Sequence, residues 1–254
     1  MAFVPHKNGL RENAERHKKN IFLLEMDITN FFGTITEQQV YRLFCNIGYS
    51  SKVAGILANL CTYDGYLPQG AVTSPYIANL VCYHMDARIN GYCSRKDIVY
   101  TRYADDLTFS SSNRTLLNKV EKFIKYIVTD EGFTINDKKT RYLSNDVKKT
   151  VTGITINDDS IHVDKKFKRD LRAQIYRSIK LKDYQNNSQI VGKIAYVNSI
   201  EEGFRDRIFN YITEVITKPE FTGDIDIINA FNDNKFFSDL PDMLFKEVCE
   251  FPFD

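Results

Sequence analysis

An α+β protein is what this sequence predicts: a mixed layer of strands and helices followed by a helical bundle. Short apolar runs of strand length alternate with helical periodicity as far as Val163. From Lys165 onward the pattern is helical. The 254 residues, 43% of them hydrophobic, suffice to bury a sizeable core in one large domain or two smaller ones.

The elements follow in order. Asn13, Ala14 and His17 fall in a short helix inside a polar, basic opening stretch. Residues 21–28 (IFLLEMDI) are an apolar run ending at an acid, the pattern of a buried strand that delivers Asp27 to a sheet edge. Helices are predicted over 36–46 and 51–63, separated by Gly48-Tyr49-Ser50 and closed by Gly65. Beyond Leu67-Pro68-Gln69-Gly70 a longer helix spans 74–92, with Ile77, Leu80, Val81, His84, Met85 and Ile89 as one core stripe. Its start reads as Ser74 at the N-cap and Pro75 at the first position. Strands over 98–103 and 107–111 flank Ala104-Asp105-Asp106 as a tight hairpin. A helix over 114–129 precedes short strands near 133–136, 141–143, 150–156 and 160–163. Three helices, over 165–182, 188–199 and 203–217, complete the pattern.

Composition removes several classes. Five cysteines, Cys45, Cys61, Cys82, Cys93 and Cys249, are an odd number without a CxxC pair, which argues for reduced thiols and against a disulfide scaffold or zinc knuckle. No apolar run reaches the roughly 18 residues of a spanning helix, and the N-terminus has no hydrophobic signal core, so a soluble cytoplasmic protein is expected. The net charge of +1 is unevenly spread. Residues 138–182 hold thirteen Lys or Arg against five acids, either a nucleic-acid footprint or a solvated helical face. Residues 218–254 hold three lysines against nine acids, together with Phe221, Phe231, Phe236, Phe237, Phe245, Phe251 and Phe253. That stretch is too apolar for a free acidic tail and is expected to dock on the body or on a partner protein, away from nucleic acid.

The sharpest local signal is Tyr103-Ala104-Asp105-Asp106. Two carboxylates about 4 Å apart repel by roughly 4 kcal/mol at an effective dielectric of 20, and a third, Asp27, would add to this. A divalent cation removes that penalty, and hard oxygen ligands of this kind suit Mg²⁺ with substrate phosphates. Two such ions would serve phosphoryl transfer, one activating a hydroxyl and the other stabilising the leaving pyrophosphate. An Asp-Asp pair by itself is more often a solvated turn.

Asp27-Ile28-Thr29-Asn30-Phe31-Phe32, then Leu67-Pro68-Gln69-Gly70-Ala71-Val72-Thr73-Ser74-Pro75, then Tyr103-Ala104-Asp105-Asp106, then Asn136 with Lys139-Thr140 resemble the ordered palm motifs of reverse transcriptases. Asn13-Ala14-Glu15-Arg16-His17 and Val151-Thr152-Gly153 resemble signatures of the bacterial retron branch. The likeness covers residues 3–217 and implies a right-hand polymerase: an antiparallel palm sheet packed on helices, then a helical thumb. It implies segments 1–35 (remnant fingers and palm entry), 36–164 (palm), 165–217 (thumb) and 218–254 (acidic aromatic tail).

By resemblance, Asp27, Asp105, Asp106 and Lys139 are catalytic, with Lys138 the alternative to Lys139 at the triphosphate. Asp27, Ile28, Asp105 and Asp106 would hold two Mg²⁺ ions, or Mn²⁺. Ile28, Phe32, Gln69 and Gly70 would meet the dNTP. There Phe32 excludes a ribose 2′-OH, the Gln69 amide hydrogen-bonds the nucleotide and Gly70 permits close approach. Asn13, His17, Ser74, Lys165, Lys166, Arg169 and Arg172 would contact nucleic acid, with Lys168, Tyr176, Arg177 and Lys180 along the same thumb helix. From the residues alone, Phe31 reads as a core aromatic, and an Asn-His pair four apart more often packs or caps a helix.

Only 26 residues precede Asp27, where the family usually carries its fingers strands. The chain is then a fragment, or is completed by another polypeptide, or has become a catalytically silent RNA-binding scaffold. The resemblance implies a retron RNA-directed DNA polymerase that copies a structured noncoding RNA into short DNA, forming an RNA–DNA hybrid, and works with an effector protein in antiphage defence. A group II intron-like or other defence-associated reverse transcriptase is the neighbouring alternative.

Overall fold

The computed structural model describes residues 9–157, 159–183 and 185–221. These form two compact units, one comprising the described residues up to 152 with 156–160, the other 153–155 with those from 161 onward.

In the first unit, helix α1 (Gly9–His17) carries Glu12 in its first turn and Arg16 in its last, charges that complement its dipole. Strand β1 (Phe22–Asp27) buries Leu23, Leu24 and Met26. A one-turn helix α2 (Phe31–Thr34) is entered through Asn30 at φ 48. Helix α3 (Glu37–Ile47) opens on a capping box between Thr36 and Gln39 and stops at Gly48, whose φ of 113 a side chain would resist. Helix α4 (Ser51–Cys61) is capped by the Ser50 hydroxyl. Asp64 and Gly65, at φ 52 and 79, then make the tight turn that pairs Tyr63 with Tyr66.

The single helix expected over 74–92 is two, α5 (Ser74–Val81) and α6 (Tyr83–Ser94), separated at Cys82, whose ψ of −1 departs from helical geometry. The break re-aims the stripe: Ile77, Met85 and Ile89 enter the core, whereas Leu80 and His84 face solvent. Strands β2 (Val99–Tyr103) and β3 (Asp106–Ser111) join through Ala104-Asp105, so Asp106 belongs to the strand and pairs with Tyr103. Helix α7 (Arg114–Asp130) is capped by Asn113 and buries Leu117, Val120, Ile124, Ile127 and Val128, a stripe of helical spacing.

The strand expected near 133–136 reduces to one bridge, Ile28 with Ile135, because the chain turns at once through 136–140. Strand β4 (Arg141–Leu143) follows. The run expected as one strand over 150–156 is interrupted by Thr152 and Gly153, at φ 48 and 82, leaving β5 (Thr150–Val151) and β6 (Ile154–Thr155). Near 160–163 a lone bridge joins His162 to Thr155.

The main sheet has the order β2-β3-β1-β4, with every pair antiparallel. Because side chains alternate, Leu24, Met26, Tyr100, Leu107 and Phe109 occupy one face, where they join Met85, Ile89, Leu117, Val120 and Ile124 in one core. Glu25, Asp27, Asp106, Thr108 and Ser110 lie on the other. At one end of that polar face sits α1. His17, fully buried, places Nδ1 2.7 Å from the Ser110 hydroxyl and Nε2 2.7 Å from the Thr101 hydroxyl.

In the second unit, α8 (Lys165–Leu181), α9 (Asn187–Ile200) and α10 (Phe204–Ile216) pack through Leu171, Ile175, Ile179, Ile194, Val197, Ile208 and Ile212. Glu201 ties them: it accepts from the Val163 amide at 2.9 Å and the Lys168 ammonium at 2.6 Å, and pairs with Arg207. Phe221, first aromatic of the acidic stretch, is buried edge-on against Tyr176. The remaining tail aromatics and Cys249 lie outside the described residues. Cys45, Cys61, Cys82 and Cys93 carry free thiols, and among the described residues no helix is long and apolar enough to cross a membrane.

Burial, with Arg16 nearby, lowers the His17 pKa from the usual 6.5 to about 3. A depressed folded value means stability is complete above pH 6.5 and is lost as pH falls towards 3, since the unfolded chain then takes up the proton. Thermal unfolding across pH 7 to 5 should show a loss of up to about 2 kcal/mol. His17→Gln, less stable at pH 7, should show a flatter profile.

Candidate active site

The carboxylates are assembled by strand register. Asp27 ends β1 directly opposite Asp106, which begins β3, so both side chains leave the same face. The Ile28 amide donates to the Asp105 carbonyl at 3.0 Å, holding the turn against the end of β1. A third segment closes the group. The Asn136 amide donates to the Asp27 carbonyl at 2.8 Å, and the turn that follows brings the Lys139 ammonium to Asp27 Oδ2, also at 2.8 Å. Lys139 makes this contact; Lys138 is exposed, with its amide on the Asn136 side chain. Neighbouring β4 is pinned by Tyr142 donating to Glu121, and Lys125 bridges Glu121 and Asp137.

Electrostatics in this corner are only partly relieved. Partial burial, then the charges of Asp105 and Asp27, push the Asp106 carboxyl above its ordinary range, with Lys139 and Arg141 opposing. The ammonium of Lys139 is in turn held protonated by Asp27. Glu25, two residues before Asp27 on the same face, is an acid the sequence reading passed over. It pairs with Arg141 at 2.9 Å, and burial raises its carboxyl too. The donors are all carboxylate or carbonyl oxygens, chemistry that suits Mg²⁺, and a cation here would relieve the repulsion felt by Asp106. Among the described residues, however, no three His, Cys, Asp or Glu side chains stand close enough to enclose an ion, and the positive charge beside Asp27 is that of Lys139.

The other expected residues divide. Phe31 is buried while Phe32 is half-buried at its edge, the two rings meeting at 5.2 Å. The Ile28 side chain is core, leaving only its carbonyl for an ion or substrate. Gln69 and Gly70 are exposed, Gly70 at φ 96. Ser74, expected at nucleic acid, is fully buried and donates to the Pro68 carbonyl at 2.6 Å; it closes the base of the loop carrying Gln69 and Gly70. The helix N-cap falls to Thr73. Asn13 and His17, also expected at nucleic acid, are buried beneath α1; both ring nitrogens of His17 are engaged by the sheet, so His17 braces the helix there, whereas the Asn13 amide has no hydrogen-bond partner among the described residues. Lys165, Lys166, Arg169 and Arg172 are exposed on α8, Arg172 over the ring of Tyr211, whereas Lys168 is taken up by Glu201.

An antiparallel sheet backed by helices, with acids at one turn and one strand end, defines a polymerase-type palm. A family model described as reverse transcriptase (RNA-dependent DNA polymerase) matches residues 1–185. The retron Ec86 reverse transcriptase of Escherichia coli is 32% identical over 218 residues, which cover 86% of this chain and 68% of that protein. The retron Mx65 reverse transcriptase of Myxococcus xanthus is 31% identical over 225 residues, 81% of this chain and 52% of its own length. In fold, the chain aligns along its whole length with 54% of a telomerase chain from Candida albicans, solved with a fragment of telomeric RNA, at a TM-score of 0.51 and 13% identity. This chain therefore belongs to the reverse transcriptase family, in its retron branch. It spans about half to two thirds of the length of those two relatives.

A raised carboxyl means the folded chain holds the Asp106 proton more tightly than the unfolded chain, so stability falls as pH rises through the carboxylate range. Without divalent ions at neutral pH, Asp106→Asn should raise the unfolding midpoint, by a few degrees at most. Scanning fluorimetry with chelator, then with added Mg²⁺, checks this: the ion should stabilise the parent more than the variant.

Proposed function

We propose that this chain is the catalytic palm and thumb of a retron reverse transcriptase that extends DNA on a structured RNA template. The observation that carries the reading is the pairing of Asp27 opposite Asp106, with Asp105 in the adjoining turn and Lys139 across from Asp27. Asp27, Asp105 and Asp106, with the Ile28 carbonyl, would hold Mg²⁺, which when bound supplies charge stabilisation at the reacting phosphate. The chain's own residues supply the rest. Lys139 already stands beside the acids and is kept charged by them, so it can pair with a triphosphate or give a proton to departing pyrophosphate. Phe32, half-buried at the rim of the core, would meet the sugar, and Gln69 and Gly70, both exposed, would meet the nucleotide. Lys165, Lys166 and Arg169 supply exposed positive charge for the backbone of an RNA–DNA hybrid. The resemblance to retrons extends the proposal to short DNA made on a noncoding RNA, with an effector protein and a role in antiphage defence.

A silent RNA-binding scaffold, in which the Lys139 ammonium stays paired with Asp27 in place of an ion, is the second reading. Incorporation of labelled dNTP on a primed RNA template separates the two. Asp105→Asn should lower incorporation by about 10²-fold or more, the scale of losing a group that stabilises transition-state charge. Binding of RNA by the parent without any incorporation establishes the scaffold instead.

Neutralising Lys165, Lys166 and Arg169 together should weaken hybrid binding and flatten the slope of log affinity against log salt by roughly 2 to 3. Titrations at several salt concentrations read both; an unchanged slope removes α8 from the interface.

A further inference from the structure

The acids of the catalytic corner stand on a turn that is not at ease by itself. Ala104, the first of its two central residues, has φ 53, a left-handed conformation in which glycine is the usual occupant. Something must hold it. Immediately behind the turn, on the core side of β2, Arg102 is only 3% exposed, and its guanidinium serves three neighbours at once. Nε and Nη2 donate to the two carboxylate oxygens of Asp86 on α6, at 2.9 and 2.7 Å. Nη1 donates to the carbonyl of Ala104 at 3.1 Å. Its plane lies over the ring of Phe31, 5.8 Å from the centroid. Tyr100 completes the cluster by donating to Asp86 at 2.8 Å.

From this the geometry points to Arg102 as a positioning residue for the polymerase site, with Asp86 as its anchor: the pair is a strut between α6 and the carbonyl of the catalytic turn. The inference rests on the proposed role of Asp105 and Asp106. A buried ion pair is weak evidence of stability, because well-packed apolar residues often replace one at no loss. What an apolar replacement cannot supply is a donor aimed at the Ala104 carbonyl. The planar fork of arginine can satisfy Asp86 and that carbonyl together, and the single ammonium of a lysine cannot do so in the same geometry. Through Phe31 the same guanidinium also touches the helix that carries Phe32, so one side chain contacts the segments that follow both Asp27 and Tyr103.

Two variants of the full chain separate positioning from folding. Arg102→Lys keeps a positive charge beside Asp86. The triple replacement Asp86→Leu, Tyr100→Phe and Arg102→Met removes the whole polar cluster without leaving an unpaired charge. Hydrogen exchange followed by mass spectrometry on residues 103–106 and on the Ile28 amide, which donates to Asp105, reads the turn directly. In both variants exchange there should quicken about tenfold, the worth of one lost hydrogen bond, while the amides of Leu24 and Phe109 keep their parent rates. Nucleotide incorporation should fall in kcat with KM for dNTP unchanged. Parent-like exchange at the turn in Arg102→Lys overturns the strut, as does acceleration spread evenly over the sheet. If the triple variant does not fold, Arg102→Lys decides alone. A parent chain that incorporates no nucleotide overturns the polymerase reading, and the exchange rates still decide the strut.

Discussion

Everything in the acidic corner depends on one antiparallel register. Asp27 faces Asp106 because Leu24 faces Phe109 and Met26 faces Leu107, in a core from which water is excluded. A slip of one residue would turn the carboxylates into that core and the apolar side chains out, so burial of the apolar set fixes the placement of the acids. The energy that holds two like charges together thus comes from hydrophobic area on the opposite face of the same strands. Lys139 and Arg141, both beyond the bridge at Ile135, temper the repulsion without cancelling it.

The division of labour between the two faces explains which residues were legible in the sequence. Asp27, Asp105 and Asp106 announce themselves because acids at the end of an apolar run and beside a strand contradict their surroundings. Lys139 was reached through the resemblance, and the turn at Asn136 gives it a physical position. Helices with explicit caps, such as the one opened by Thr36 and Gln39, were recovered nearly to the residue. The single helix over 74–92 was not, because periodicity alone does not register a loss of helical ψ at Cys82.

The misplaced residues share a cause. Ser74, Asn13 and His17 are polar, and polarity in a recognised motif suggests a ligand. Each is buried, and Ser74 and His17 satisfy their hydrogen bonds inside the protein, with the carbonyl of Pro68 and the hydroxyls of Ser110 and Thr101. Arg102 and Asp86 were missed for the opposite reason. They are 16 residues apart, on a strand and a helix, and no local pattern marks a charge that will be buried. Only tertiary contact shows that the arginine preceding Tyr103 points inward.

The thiols carry a practical consequence. Burial pushes those of Cys82 and Cys93 up to about 12, so at neutral pH almost none of either exists as the reactive thiolate. Cys82 sits at the joint between α5 and α6, within the core that supports the strands, so an alkylating probe reaching it would signal that this layer had opened. Maleimide labelling, in a protein whose other described cysteines are more accessible, becomes a clock for breathing of the palm.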